Sequence, residues 1–156
     1  ANYKQKIQFE AGGTLQTNKY ENAVPYIDGI PPTREFIRTP NHYGFMVLSL
    51  NPSKRLSANI NYVYTGQMLV PHFAGAENQL FDEIVNTEMF SNLSFKLNYT
   101  MDIKKSNLIM EYYLGVKNIL NAYQDDFDIG KNRDSNYIYG SAQPRTFYIG
   151  IKLKSK

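Results

Sequence analysis

Two histidines are the side chains of this sequence best suited to acid–base or metal chemistry. His42 and His72 are its only histidines, and both lie in or beside long segments without a regular hydrophobic pattern. No nucleophile-elbow motif accompanies them, so no serine–histidine–acid set can be assigned to catalysis. We therefore expect no enzymatic activity and no cofactor. Solvated loop histidines are favoured over a metal site that uses both residues.

Four aspartates form a second group of interest, because carboxylates are the ligands that calcium prefers. Asp125, Asp126 and Asp128 lie close together, and Asp134 follows. An EF-hand loop that began at Asp126 would need Asp or Asn at its fifth position and Glu at its twelfth. Gly130 stands at the fifth position and no glutamate follows, so the motif fails. A solvated acidic loop is favoured over a divalent-ion site, which stays an open alternative.

Basic and aromatic residues alternate at Arg34, Phe36 and Arg38, as they do on some nucleic-acid-binding surfaces. The long connections of the chain are acidic when taken together, whereas phosphate contacts need a continuous positive surface. Gly12 and Gly13 are followed by no lysine–serine pair, so they do not form a phosphate-binding loop. We expect no nucleic-acid partner.

Apolar and polar residues alternate with a period of two through most of the chain, which predicts β-strands. We therefore expect strands, and the loops between them, to position the histidines, aspartates and basic residues described above. Near the C-terminus, Phe147, Ile149 and Ile151 fall on one face, and Tyr148 and Lys152 fall on the other. The stretch 43–50 alternates less cleanly, so the sequence does not say which of its faces is the apolar one. Six strands are predicted, at residues 6–17, 43–50, 56–65, 90–100, 108–117 and 146–153.

Long and short connections alternate between these strands, so an antiparallel order places all the long ones at one end. The long connections, 18–42, 66–89 and 118–144, hold 11 of the 14 acidic residues and 5 of the 17 basic ones, a net charge of −6. The rest of the chain is therefore +9. Its bases cluster at the short turns 51–54 and 102–107 and at both termini, including Lys4, Lys105 and Lys156. This asymmetry indicates either two different aqueous faces or ordinary solvated charge at loop ends.

Composition is compatible with one β-rich domain. The 156 residues include 13 Tyr, 9 Phe and no Cys, and no apolar run approaches the roughly 20 residues of a membrane-spanning helix. Residues 78–90 are the nearest candidate for a short helix. The chain starts at Ala1 without a signal-like apolar core, so we expect a mature chain or a fragment.

Five short motifs spread over most of the chain carry a family resemblance. They read TPNHYG at 39–44, YTGQMLVPH at 64–72, GVKNILNAYQ at 115–124, RDSNYIYG at 133–140 and PRT at 144–146. As a set they resemble the C-terminal end of a TonB-dependent outer-membrane receptor of the kind found in Bacteroides-like bacteria. The resemblance implies an all-β fold, an antiparallel transmembrane β-barrel segment of about six strands from the C-terminal part of a 22-stranded barrel. Residues 1–156 would then lack the plug domain.

Function and partners follow from the same resemblance. It implies uptake of a scarce nutrient, such as an iron–siderophore, cobalamin or a similar small molecule, across the bacterial outer membrane. The expected partners are outer-membrane lipid, the remaining barrel strands and plug (from the same polypeptide or another chain), and the TonB system through that plug. His72 belongs to the Val-Pro-His motif. Together with Tyr137 and Tyr139 it is predicted to contact the nutrient.

Two departures from the family pattern leave an alternative open. Family members usually end on an aromatic residue, whereas this chain ends Leu153-Lys154-Ser155-Lys156, and they are several times longer. The alternative is a soluble all-β ligand-binding barrel or sandwich, which would bury the same apolar faces inside. Strand length and the asymmetric loop lengths favour the membrane interpretation.

Overall fold

Eleven β-strands form the regular structure of this protein in a computed structural model, which describes residues 2–3, 6–104 and 106–155. Three of the basic positions expected near turns and termini, Lys4, Lys105 and Lys156, lie outside the described residues. Within the described ranges, no helix has the length and apolar character needed to cross a membrane. The strands are β1 (Asn2–Tyr3), β2 (Ile7–Leu15), β3 (Lys19–Val24), β4 (Thr33–Glu35), β5 (His42–Leu50), β6 (Leu56–Thr65), β7 (Leu69–His72), β8 (Glu83–Asn86), β9 (Phe90–Asp102), β10 (Leu108–Lys117) and β11 (Thr146–Ser155).

The six predicted strands are confirmed as neighbours in one antiparallel sheet. Their order is β2-β5-β6-β9-β10-β11, with the two-residue β1 beside β2. Strands that follow each other within this sheet also pair with each other, so the three long connections leave from one end and the two short turns from the other. The sheet is open between its β1 and β11 ends, and the described residues do not form a closed barrel.

Strand register collects most of the apolar residues of the six long strands on one face. Residues that pair across an antiparallel ladder point to the same side of the sheet. The register also assigns the ambiguous strand β5, because Met46, Leu48 and Leu50 pair with apolar partners on this side. One complete cross-strand row consists of Phe9, Leu48, Ile60, Phe95, Val116 and Phe147.

No second layer of described residues covers this apolar face. On β11, Phe147 is 74% exposed and Ile149 is 83% exposed. The buried hydrophobic residues lie elsewhere, because all of them belong to the long connections: Ile27, Val70, Ala76 and Tyr137. The core of the described structure therefore sits at the loop end, and the sheet is a single layer.

On the opposite, largely polar face, large aromatic rings lie over glycines of neighbouring strands. The Tyr148 ring occupies the space where a side chain at Gly115 would stand, and the Tyr113 ring does the same at Gly150. These two tyrosine rings also contact each other, with centroids 6.3 Å apart. The glycines thus admit aromatic side chains flat against the sheet, which a β-carbon would prevent.

Two of the three long loops contain strands of their own. We define the first loop as residues 16–41, the second as 66–89 and the third as 118–145. Strands β3 and β4 pair in the first loop, and β7 and β8 pair in the second. The prediction of a short helix at residues 78–90 is therefore wrong, because strand β8 lies within this range. Ile84 and Val85 are both β-branched and therefore pack well on a pleated surface. They pair with Pro71 and Val70, respectively, instead of forming a helical turn.

Alanine at position 115 is predicted to destabilise the sheet. An added β-carbon would meet the Phe95 carbonyl and the Tyr148 ring inside van der Waals distance. We expect Gly115→Ala to lower the free energy of unfolding by about 1–3 kcal/mol, the usual cost of overpacking. Denaturant titration followed by circular dichroism measures this.

Gly13→Ala is the matched control, because the nearest atom to its added β-carbon is the Tyr43 carbonyl at 3.8 Å, an ordinary contact. The same change there should leave stability unchanged or raise it by up to about 1 kcal/mol. Equal losses in the two variants would contradict the packing between β9, β10 and β11.

Candidate functional site

The three long loops are joined to one another over the end of the sheet. The Arg38 amide of the first loop donates to the Leu69 carbonyl of the second at 2.6 Å. Its guanidinium donates to the carbonyls of Asn136 and Ile138 in the third loop. Arg38 adopts a positive φ of 55°, which non-glycine residues rarely take, so its backbone is held by these contacts. One residue thus contacts both other loops.

His72 lies at the centre of the contact between the second and third loops. Its Nε2 atom is 2.9 Å from Oδ1 of Asp128, and both residues are buried. Its imidazole stacks on the Tyr137 ring with centroids 3.6 Å apart and planes 3° from parallel. The other Asp128 oxygen accepts the Asp134 amide at 2.9 Å. Burial of a histidine and a carboxylate is tolerated here because each has a partner.

Asp126 accepts hydrogen bonds from two tyrosines of the same loop. The Tyr137 hydroxyl donates to its Oδ2 at 2.7 Å, and the Tyr139 hydroxyl donates to the same oxygen at 2.8 Å. Burial raises the pKa of Tyr137 far above its ordinary value, and the Asp126 carboxylate raises it further. The same two causes, in the same order, raise the pKa of Tyr139. Both hydroxyls are therefore donors and stay protonated through the neutral range.

The Gln124 side chain forms hydrogen bonds with the backbone of the segment that carries these two tyrosines. It is 2% exposed, and its amide nitrogen donates to the Tyr137 carbonyl at 3.1 Å. Its amide oxygen accepts the backbone N–H groups of Tyr139 and Gly140 at 2.9 and 3.3 Å. The third loop has no regular secondary structure, so this side chain provides the backbone partners that a sheet would otherwise supply.

Asn118 plays the corresponding part at the start of the third loop. It is 2% exposed and has a φ of 51°. Its side-chain amide donates to the carbonyls of Ala122 and Gln143 and accepts the Ala122 amide, all within 3.0 Å. Sequence reasoning did not single out Asn118 or Gln124, and it considered Arg38 only as part of a basic and aromatic stretch. Asn118 and Gln124 stand in the GVKNILNAYQ motif, which was the available signal.

The structure brings the three predicted site residues together. His72 and Tyr137 are stacked, and the Tyr137 and Tyr139 rings meet edge to face at 5.3 Å. His72 is 6% exposed and Tyr137 is 3% exposed, so their principal contacts are with the loops themselves. Tyr139 is the half-buried member of the group. Contact with a nutrient stays a prediction for all three.

The two histidines lie in different surroundings. His42 Nδ1 is 2.9 Å from the Tyr64 hydroxyl, whereas His72 is bonded to Asp128. Among residues 6–104 and 106–155, no group of three or more His, Cys, Asp or Glu side chains is arranged to hold a metal ion. In the third loop, carboxylate oxygens of Asp126, Asp128 and Asp134 accept hydrogen bonds from the protein.

An open, single-layer antiparallel sheet with three interlocked loops at one end is the class of structure that these observations define. No family model, curated protein sequence or solved structure matches the chain.

Loss of the tyrosine–aspartate bonds is predicted to change how stability depends on pH. Both tyrosines have a raised pKa in the folded state, so their contribution is present below about pH 10, the ordinary tyrosine pKa, and is lost as the pH rises above it. In Tyr137→Phe/Tyr139→Phe, we expect a lower free energy of unfolding at neutral pH, by about 1.5–3 kcal/mol per bond to a charged group. Its decline above pH 10 should be shallower than in the wild type.

Denaturant titrations across this pH range test the prediction. Tyr123→Phe is the control, since no hydrogen bond between described residues uses the Tyr123 hydroxyl, and it should keep wild-type stability at neutral pH. An alkaline decline of the same steepness in the double variant and the wild type would contradict the arrangement.

Proposed function

We propose that this chain forms part of the wall of a transmembrane β-barrel that imports a small nutrient across the bacterial outer membrane. It would be the C-terminal part of a 22-stranded TonB-dependent receptor, with its three long loops at the outer surface. The nutrient would be an iron–siderophore, cobalamin or a similar molecule, and this part of the protein would not be catalytic. The single observation that carries the proposal is the continuous, uncovered apolar face of the sheet.

An uncovered face of this kind is costly in water. Burying a large apolar side chain stabilises a protein by about 1.5–3 kcal/mol. The apolar side chains in the rows across the six strands lack this stabilisation while they are exposed to water. Lipid would remove the penalty, because the alternating pattern of a membrane barrel places apolar residues toward the bilayer and polar residues toward the lumen. Strands of 9 to 13 residues in the main sheet have the length needed to cross a bilayer when tilted.

The two ends of the sheet support the same orientation. Long loops fall at one end and two short turns at the other, as in outer-membrane barrels with extracellular loops and periplasmic turns. The three loops as defined above carry a net charge of −5 and the rest of the chain +8. Hydrogen bonds between the loops keep their backbone ordered above the sheet, where a surface that meets a nutrient would be expected.

The edges of the sheet call for further strands. Strand β11 has a described neighbour, β10, on one side only. In hydrocarbon each unpaired backbone group costs several kcal/mol, so an open edge is not tolerated there. The remaining strands would come from the same polypeptide or from a second chain. A plug inside the completed barrel would connect it to the TonB system.

Lysine on the apolar face is predicted to prevent assembly in the membrane. Ile60 lies in the central apolar row, and its chain neighbour Asn61 points to the opposite, polar face of β6. A charge near the middle of a lipid-facing surface costs about 2–4 kcal/mol. We expect Ile60→Lys to reduce the amount of folded protein in outer-membrane fractions, and Asn61→Lys to leave it near the wild-type amount. Equal yields would show that the faces are assigned wrongly.

Cysteine labelling on intact cells tests the orientation. The chain has no native cysteine, so a single introduced one is the only target in it. An impermeant thiol reagent should label cysteines at Asn22, Asn78 and Lys131 in the three loops. It should not reach cysteines at Ser53 and Ser106 in the turns until the cells are broken.

All five of these positions are exposed, so a difference between them reports on location and not on burial. Labelling of the turns but not the loops would reverse the topology. Labelling of all five only after lysis, with the protein in the soluble fraction, would favour a soluble all-β ligand-binding domain.

A further inference from the structure

A small pocket opens on the polar face of the sheet, where strands β6 and β9 meet the third loop. Its volume is about 290 Å³. Thr65 pairs with Phe90 and Val63 pairs with Asn92, so all four residues point to the same face. The third loop closes one side of the pocket. The side chains that line it are Val63, Thr65, Phe90, Asn92, Tyr139 and Ser141.

Two aromatic rings form a rigid corner of this pocket. The Phe90 and Tyr139 rings have centroids 5.7 Å apart and planes 56° apart. Gly140 lies so close to the Phe90 ring that a side chain there could not fit. Tyr139 is held at both ends, by Gln124 on its backbone amide and by Asp126 on its hydroxyl. The corner is therefore preorganised, and a ligand would not have to order it.

Hydrogen-bonding groups surround the corner, and none of the side chains that line the pocket is charged. No hydrogen bond between described residues uses the Thr65 hydroxyl or the Asn92 amide nitrogen. The Ser141 hydroxyl makes only long contacts of 3.4 Å. A charged ligand would find no opposite charge on the pocket wall, whereas a neutral ligand with hydroxyl groups would find donors and acceptors.

The size and shape of the pocket limit what can occupy it. Its volume lies at the lower end of small-molecule sites, which run from about 300 to 1,000 Å³, so it suits a single ring. Because the two aromatic planes are strongly tilted, a flat aromatic ligand could stack on only one of them. A puckered saturated ring can present C–H groups to both.

We propose that this pocket binds a neutral, polyhydroxylated six-membered ring, as a single molecule or as one unit of a larger nutrient. The proposal rests on the proposed function in one respect: the polar face would line the path that the nutrient follows. Phe90 and Tyr139 would contact the ring faces, and Thr65, Asn92 and Ser141 would bond its hydroxyl groups. None of these contacts requires the buried residues His72 and Tyr137 to move.

Saturation-transfer difference NMR with methyl glucoside as the probe tests the pocket. The protein is measured in lipid vesicles, in keeping with the proposed function, and any detergent must lack a sugar headgroup. A ring of this size should bind with a dissociation constant of about 1 mM. Glucuronate, a similar ring with a negative charge, should bind at least about tenfold more weakly.

Two leucine substitutions separate the pocket from the rest of the polar face. Asn92→Leu removes one hydrogen-bonding group at similar volume and should weaken methyl glucoside binding about tenfold. Asn61→Leu makes the same change on the same face outside the pocket and should leave binding unchanged. Val63→Phe, which fills the pocket from a half-exposed position without altering the backbone, should abolish binding.

Each outcome either supports or overturns the proposal. No binding to the wild type at tens of millimolar, equal binding of glucuronate, or equal weakening by Asn92→Leu and Asn61→Leu would overturn it. Failure of the membrane proposal would be seen in the cysteine labelling and not in the binding measurement. Loops that cannot be labelled on intact cells would reject the outer-membrane orientation even if the pocket binds the ring. Correct labelling without ring binding would reject the pocket alone.

Discussion

The antiparallel register of the six long strands is the constraint on which the rest of the structure depends. A shift of one residue at any ladder would send a complete set of apolar side chains to the polar face. With the observed register, Phe9 and Phe147, at opposite edges of the sheet, belong to one continuous apolar row. The same register places Gly115 beneath Tyr148 and Gly150 beneath Tyr113, so both faces rely on it.

The loop end is stabilised by a different kind of interaction. The apolar side chains buried there are few, and much of the connection between loops comes from buried polar groups that satisfy one another, such as His72 with Asp128 and Gln124 with its three backbone partners. In a low-dielectric interior, such bonds are strong when complete and costly when one partner is missing. A rigid loop assembly of this kind can hold a preformed recognition surface, which agrees with the position of the small pocket beneath it.

The sequence by itself determined the six long strands and their pairing order, but not the short strands within the loops. Period-two alternation is a local property, so the stretches near 56–65 and 146–153 could be recognised without any knowledge of their neighbours. The charge difference between loops and turns was visible for the same reason. Alternation failed for strand β5, where Tyr43, Phe45, Met46 and Leu48 make both faces apolar, and only pairing with β2 and β6 assigned its sides. Local propensity also misjudged residues 78–90, because the partner strand β7 lies outside that window.

The tertiary structure alone decided how the loops are arranged. Sequence reasoning selected His72, Tyr137 and Tyr139, but their stacking and their bonds to Asp128 and Asp126 join residues as many as 65 positions apart. Arg38 contacts carbonyl groups about a hundred positions away, and no spacing rule links it to them. Backbone hydrogen bonds in an irregular loop carry no periodic signal. The side chains that satisfy them, Asn118 and Gln124 above all, become recognisable only when the folded chain shows which groups are buried.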